Sequence, residues 1–200
     1  MARRQDHTPE VLRSLLLQEA RSLIVSKGVR GLTARALAAK IGYAPGTIYN
    51  VFADMEALLL AVHGETLTAL EETLKQTVAA TSPGFARIAA LAEAYCDFAA
   101  AQAPLWLALF ATPHRGRLPR WYQLQLQQLF TILEAQLRLC LGQGGAESRR
   151  TARLLWACLH GITMLTLDGR LRGIGGSKTE ELVAALLLPY QVEEPKEGRK

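Results

Sequence analysis

Apolar residues recur every three or four positions along most of this chain, the spacing that places them on one face of an α-helix. The first such run begins at Thr8 and Pro9, a pair typical of a helix cap and first turn, and stops at Gly28. Its apolar positions are Leu12, Leu16, Ala20, Leu23 and Ile24. The strict alternation of a β-strand does not occur, so the pattern predicts an all-α protein of about nine helices.

Two short helices separated by a tight turn are predicted next. Thr33 is placed to cap the first, which runs to Ile41 and stops at Gly42, a residue that accepts the left-handed conformation ending many helices. Pro45 is favoured in a first helical turn and opens the second, which is predicted to end at Phe52. Their shared core is predicted to be Leu37, Ile41, Ile48 and Phe52. These are the proportions of a DNA-binding helix-turn-helix.

Proline, glycine and capping residues divide the remaining chain into further helices. A capping box of Ser177 and Glu180 is predicted to open the last of them. The predicted helices after residue 53 begin at Asp54 and then span Ser82–Phe98, 104–113, Pro119–Gly142, Glu147–Leu171 and Ser177–Pro189. We therefore expect a three-helix helix-turn-helix domain over residues 1–53, a helical effector-binding and dimerisation domain over 54–190, and a polar tail over 191–200.

The net charge of +5 is confined to the first quarter of the chain. Residues 1–53 hold eight basic and three acidic residues, whereas the remainder holds fifteen of each. A basic module joined to a neutral body is typical of proteins that bind nucleic acid, because the cations neutralise phosphates. Lys27, Arg35 and Lys40 are expected to supply sequence-independent attraction. On charge alone, a solvated basic face without a partner remains open.

The start of the second short helix has the composition of a surface that approaches DNA closely. Gly46 is unfavourable in an ordinary helix, a cost that is understandable where a side chain would collide with DNA. Hydroxyl and amide side chains around it can bond phosphates and base edges, and Asn50 is suited to adenine. The predicted DNA-binding residues are Thr33, Arg35, Tyr43, Ala44, Pro45, Gly46, Thr47, Tyr49 and Asn50.

The stretch LTARALAAKIGYAPGTIYNVFADMEALLLAV resembles the N-terminal DNA-binding domain of the TetR (tetracycline-repressor-like) family, over roughly residues 9–62. The residues that match the family pattern are Thr33, Ala36, Ala39, Gly42, Gly46, Thr47, Ile48, Tyr49, Phe52, Glu56 and Leu58. Two positions depart from it: Ala44 replaces the usual hydroxyl residue, and Met55 stands where lysine is common. We therefore expect a cap or phosphate contact to be lost at Ala44 and a phosphate contact at Met55.

A second resemblance covers roughly residues 83–190. The segments AYCDFAAAQAPLWLALF and WACLHG are similar to the family's C-terminal domain named for its Trp-His-Gly motif, here Trp156, His160 and Gly161. The resemblance implies a small-molecule pocket in this domain. An aromatic concentration in the middle helices, together with the motif histidine, supplies the candidate ligand-binding residues, although core packing is an alternative for each. They are Trp106, Phe110, Trp121, Tyr122, Phe130 and His160.

The resemblance also implies a homodimer formed by the last two helices, here about residues 147–171 and 178–188. An apolar stripe on the final helix is wider than one packed face requires, which is compatible with this arrangement. Its members are Leu182, Val183, Ala184, Ala185, Leu186 and Leu187. Core packing within one chain is the alternative reading of the same stripe.

The function implied is that of a ligand-responsive regulator, more often a repressor than an activator, that binds a palindromic operator as a dimer. A helical carrier or interaction protein that has lost DNA binding is the competing class. An enzyme ranks third, because the sequence offers no nucleophile with a base, phosphate loop or metal-ligand set. No catalytic residue, cofactor or metal is predicted. The cysteines Cys96, Cys140 and Cys158 lie in apolar stretches, and neither a membrane span nor a signal peptide is recognisable, so we expect a cytoplasmic protein.

Overall fold

The computed structural model describes residues 7–111, 117–173 and 178–191. Within these ranges every regular element is a helix, which confirms the predicted all-α class. The α-helices are α1 Pro9–Lys27, α2 Ala34–Ile41, α3 Met55–Ala80, α4 Phe85–Ala101, α5 Ala103–Ala111, α6 Arg120–Leu141, α7 Gly145–Leu167, α8 Arg170–Gly173 and α9 Thr179–Leu187. The short 3-10 helices are Val29–Gly31, Pro45–Asn50 and Leu188–Tyr190. The predicted boundary residues Pro113 and Ser177, and positions 192–200 of the predicted tail, fall outside the described residues.

Three helices begin where a short polar side chain satisfies a free backbone N–H. The side-chain oxygens of Thr8, Thr33 and Asp54 each accept a hydrogen bond from the N–H three residues further on, at 3.4, 3.1 and 2.7 Å. All three residues were predicted as caps from their type and position. Local chemistry therefore fixes the starts of α1, α2 and α3.

Several predicted boundaries in the later helices are wrong, and glycine conformation explains two of them. The fourth helix starts at Phe85 rather than Ser82, because Gly84 precedes it with a φ of 110° that helical backbone does not allow. It also continues three residues beyond the predicted end at Phe98, to Ala101. The seventh helix is Gly145–Leu167 rather than 147–171, because Gly169, with a φ of 70°, separates it from α8.

A hydrogen bond between Lys178 and Glu181 closes the first turn of α9. Lys178 N donates to Glu181 Oε2 at 3.3 Å, whereas Ser177 of the predicted pair Ser177 and Glu180 lies outside the described residues. A lysine side chain has no acceptor, so only the acidic half of a capping box can form.

The chain divides into two compact units. The first consists of residues 1–67 together with 104–122. Its core joins apolar residues of α1, α2, α3 and the 3-10 helix Pro45–Asn50 to Leu105 and Ala108 of α5. The sequence pattern predicted that the helix over residues 104–113 belongs to the second domain. Because Leu105 and Ala108 are buried in the core of the first unit, α5 is part of that unit. The functional boundary predicted at residues 53 and 54 stays a prediction.

His63 of α3 illustrates how closely α5 packs in the first unit. Its side chain is 5% exposed, and this burial lowers its pKa to about 4, opposed by a hydrogen bond to the backbone of Ala108. The imidazole is therefore neutral near pH 7. Its Nε2 atom has no hydrogen-bond partner among the described residues.

The second unit consists of residues 68–103 and 123–200. Arg87 of α4 ties it together, since Nη1 donates to Gln136 Oε1 at 3.1 Å and Nε donates to the carbonyl of Thr81 at 2.8 Å. Helices α7 and α9 also pack together, with the hydroxyls of Thr166 and Thr179 3.0 Å apart. In the part of the chain that the structure describes, no helix is both long and apolar enough to cross a bilayer.

Candidate nucleic-acid interface

The helix-turn-helix consists of α2, a turn at Gly42 and the 3-10 helix Pro45–Asn50, hereafter the recognition helix. Gly42 adopts φ 73° and ψ 26°, and the N–H of Tyr43 donates to the carbonyl of Ala38 at 3.0 Å. This hydrogen bond closes the turn in the way that left-handed glycine caps usually do. The predicted break at Gly42 is thus confirmed.

The recognition helix is a 3-10 helix that ends two residues before the predicted end at Phe52. The N–H of Thr47 donates to the carbonyl of Ala44 at 2.9 Å, three residues back, which is the 3-10 pattern. Pro45 has no N–H to donate, and Ala44 supplies no side-chain cap, as its replacement of a hydroxyl residue predicts. A segment this short cannot complete two α-helical turns, and 3-10 helices commonly form such short segments.

Burial separates the recognition helix into a core face and an outer face. The Ile48 side chain is fully buried and Phe52 is 4% exposed, so both belong to the core of the first unit as predicted. Thr47 and Tyr43 are half-buried. The exposed members of the predicted set are Thr33, Arg35, Ala44, Pro45, Gly46, Tyr49 and Asn50. The structure therefore brings all nine predicted residues onto two short helices and the turn that joins them.

Gly46 has no structural role that requires glycine. Its φ is not positive, and a Cβ atom added there would meet no heavy atom within 4 Å. An exposed helical glycine costs about 1 kcal/mol relative to alanine. No contact with a described residue offsets that cost.

The Thr33 hydroxyl can serve two purposes at once. Its oxygen accepts the hydrogen bond from Ala36 N at 3.1 Å, and its own proton remains available for donation to a phosphate oxygen.

Met55, where the family commonly has lysine, packs against the core of the first unit. The side chain that departs from the family pattern is therefore a packing residue here.

Intramolecular ion pairs reduce the free positive charge of the first unit. Lys40 Nζ lies 3.6 Å from a carboxylate oxygen of Glu19, and Arg21 Nη1 lies 3.7 Å from one of Glu65. Exposed pairs of this kind are weak, so each cation can exchange its partner for a phosphate at small cost. Between residues 7 and 53, the basic residues that form no ion pair with a described residue are Arg13, Lys27, Arg30 and Arg35.

The six predicted ligand-binding residues do not form one group. Trp106, which is 1% exposed, and Phe110, 42% exposed, lie in the first unit with their rings tilted and the centroids 5.6 Å apart. Trp121 and Tyr122 form an edge contact in that unit, at 5.4 Å. Phe130 and His160 belong to the second unit, where a third aromatic residue connects them.

The aromatic row of the second unit is defined by Phe130, Trp156, His160 and Tyr95. The Trp156 ring lies 5.6 Å from Phe130 in an edge contact and 5.5 Å from His160 in a stacked one. Tyr95 Oη is 3.2 Å from His160 Nδ1. Burial raises the pKa of Tyr95 and lowers the pKa of His160, so the row is uncharged near neutral pH. Sequence reasoning assigned Trp156 to packing and did not single out Tyr95, which lies 65 residues before its partner.

Exposed large apolar side chains occur on α1, α6 and α7 and directly after α9, and those of α7 and of the residue after α9 lie on the helices predicted to form the dimer. Leu154 is 58% exposed and Leu165 38% exposed, and they lie on one face of α7 because eleven residues make almost exactly three helical turns. Leu188, directly after α9, is 59% exposed. Of the predicted stripe on α9, Val183 and Leu187 are buried, whereas Ala184 and Ala185 face solvent.

Two family models match this sequence. The model described as bacterial regulatory proteins, tetR family, matches residues 16–62, which contain the helix-turn-helix. The model described as tetracyclin repressor-like, C-terminal domain, matches residues 88–188. That description carries no Trp-His-Gly designation, so the predicted subtype of the C-terminal domain stays a prediction.

Individual proteins agree with the family models. The HTH-type transcriptional regulator BetI of Yersinia pestis (strain Pestoides F) is 28% identical over 143 residues, which cover 68% of this chain and 72% of that relative. Among solved structures, a protein of unknown function from Rhodococcus sp. RHA1 is 26% identical with a TM-score of 0.76, covering 95% of this chain and 97% of that one. The transcriptional regulator FadR from Bacillus subtilis, in complex with stearoyl-CoA, shares the fold with a TM-score of 0.59 and 16% identity over 88% of this chain and 96% of its own. This chain therefore belongs to the TetR family of DNA-binding bacterial transcriptional regulators.

Proposed function

We propose that this regulator binds a palindromic operator as a homodimer and represses transcription by occupying it. The observation that carries the proposal is the exposed outer face of the helix-turn-helix, where Gly46 leaves room for close approach and Asn50 is free to reach base edges. The exposed hydroxyls of Thr33 and Tyr49 supply phosphate contacts. A single module reads few base pairs, so two copies on a two-fold axis are needed for useful discrimination.

The operator proposal is tested by titrating the protein against DNA that flanks its own gene, over a series of salt concentrations. We expect tight binding that weakens steeply as salt rises, because phosphate contacts release condensed counterions. Tyr49→Ala should weaken binding to every sequence by about 10-fold, since it removes a phosphate contact. Asn50→Ala should instead reduce discrimination at one or two base positions, by about 1–3 kcal/mol.

Two results would contradict this assignment of roles. If the flanking DNA is not bound at any salt concentration, the chain is a helical carrier or interaction protein rather than a repressor of its own region. If both variants lose affinity equally on every sequence, Asn50 does not read a base.

The dimer interface is proposed to lie on α7 and α9. The support is the exposed apolar set Leu154, Leu165 and Leu188, together with Ala184 and Ala185, on two helices that pack against each other. Isolated exposed leucines are ordinary in monomers, but several on adjacent helices are typical of a covered surface.

An apolar or aromatic effector is proposed to bind at the aromatic row of the second unit. Phe130 and Trp156 offer ring surface that is only partly buried, with Trp156 37% exposed, and the neutral His160 and Tyr95 offer hydrogen bonds. The similarly folded FadR binds stearoyl-CoA, so an apolar chain is a suitable first probe. Binding would release the operator by favouring a state with lower DNA affinity.

Stearoyl-CoA is expected to release the operator, and Phe130→Ala should raise the concentration required by about 5-fold because ring contact is lost. The measurement is fluorescence anisotropy of labelled operator during the titration. Trp121→Ala is the matched control, since Trp121 is a 49% exposed aromatic of the first unit. If only Trp121→Ala changes the required concentration of stearoyl-CoA, the effector site belongs to the first unit. If stearoyl-CoA does not release the operator, an effector of this type is excluded.

A further inference from the structure

A cation–π contact connects α1 to the end of the recognition helix. The guanidinium carbon of Arg13 lies 4.6 Å from the centroid of the Phe52 ring. The N–H groups of Val51 and Phe52 donate to the carbonyl of Ile48 at 3.0 and 2.9 Å, so Phe52 is fixed to the recognition helix through the backbone. Arg13 is therefore held at a defined place beside that helix.

The stacked guanidinium retains its capacity to bind an anion. Arg13 is exposed and forms no ion pair among the described residues, unlike Lys40 and Arg21 of the same unit. The contact places the guanidinium carbon over the face of the Phe52 ring and uses none of the five N–H donors of the group in an ion pair with a described residue. Those donors match two phosphate oxygens, and the stacking limits the side-chain freedom that would otherwise be lost on binding.

We infer that Arg13, stacked on Phe52, binds a DNA phosphate beside the recognition helix. This inference rests on the proposed function and assigns one contact within it. It gives α1 a direct part in DNA binding, although sequence reasoning had counted Arg13 only toward the net charge. It also provides a phosphate contact in a domain where Ala44 and Met55 are expected to lack theirs.

Arg13→Met tests the contact, because methionine keeps an unbranched apolar side chain and removes the charge. Binding is measured by fluorescence anisotropy on the gene-flanking DNA and on an unrelated duplex, across a potassium chloride series. We expect a loss of about 10-fold on both duplexes at physiological salt. The plot of log affinity against log salt should become shallower by about 0.9 per phosphate contact, or about 1.8 per dimer.

Two further variants separate the contact from other effects. Arg13→Lys should keep the wild-type salt slope but not the full affinity, because an ammonium group cannot stack in the same way. Arg138→Met is the matched control, since Arg138 is an exposed arginine of α6, outside the proposed interface helices, and its loss changes net charge equally. It should leave the slope unchanged. Thermal unfolding of each variant checks that the fold is retained, and a purely structural role of Arg13 would not change the slope.

The inference is overturned if Arg13→Met keeps the wild-type slope, or if Arg138→Met lowers the slope as much. In both cases wild-type binding with a steep salt dependence would still support the proposed function. If the wild-type protein itself binds neither duplex, the proposed function fails and the contact fails with it.

Discussion

Gly46→Leu is expected to abolish specific DNA binding while leaving the protein as stable as the wild type. A Cβ atom at this exposed position would meet no heavy atom within 4 Å in the free protein, and the backbone does not need a positive φ. The substitution should even favour the helical conformation slightly, by up to about 1 kcal/mol. On DNA the leucine would occupy the space proposed for the closest approach, and we expect a loss of at least 100-fold, about 2.7 kcal/mol.

Gly28→Ala is the control, because it should lower the stability of the protein and leave its DNA affinity unchanged. Gly28 ends α1 with φ 70° and ψ 173°, a region that is occupied almost only by glycine and that costs an alanine roughly 1–3 kcal/mol. We expect its melting temperature to fall by several degrees, with unchanged operator affinity of the folded protein. The two measurements are thermal unfolding and operator titration. Wild-type affinity of Gly46→Leu would mean that residue 46 does not lie against DNA.

Glutamate at Leu154 and Leu165 is expected to convert the dimer to a monomer of 21.9 kDa. Both side chains are exposed in the protomer, 58% and 38%, so the protomer fold should survive the double substitution. In a dimer the same carboxylates would be buried without partners and would face their two-fold mates, which is strongly unfavourable. Operator affinity should fall at least 100-fold, because the two half-sites are no longer bound by one linked molecule.

Sedimentation gives the mass, and titration with a whole operator and a single half-site gives the affinities. Half-site affinity should be unchanged, which separates loss of the dimer from damage to the helix-turn-helix. Leu139→Glu on α6 is the matched control, because Leu139 is 72% exposed in the same unit and lies on neither proposed interface helix. A monomer produced by the control rather than by the double variant would put the interface on α6.

Residues of the helix-turn-helix were predictable because their determinants are local. Thr33 caps α2 with its own hydroxyl, and Gly42 ends it by adopting a left-handed backbone, whatever the rest of the chain does. The split between buried Ile48 and exposed Tyr49 follows from helical periodicity. The prediction that failed locally, at Ser82, chose a typical capping residue where residue 84 provides the actual start.

Contacts between distant segments were not predictable in the same way. Nothing in the pattern places Leu105 and Ala108 of α5 in the core of the DNA-binding unit, because such burial depends on where α5 packs. Tyr95 and His160 meet across 65 residues, and the Arg13 guanidinium reaches Phe52 across 39 positions. Pairings of this kind arise from the packing of whole helices.

The sequence by itself determined the all-helical class, the helix-turn-helix with its glycine turn, the location of the positive charge and the family. Each of these depends on propensity, capping or residue type, which act over a few neighbouring positions. Only the tertiary structure decided that α5 belongs with the DNA-binding unit, that the aromatic candidates separate into different groups, and that Arg13 is stacked beside the recognition helix. These features depend on which helix faces meet, and a one-dimensional pattern specifies the apolar face of a helix but not its partner.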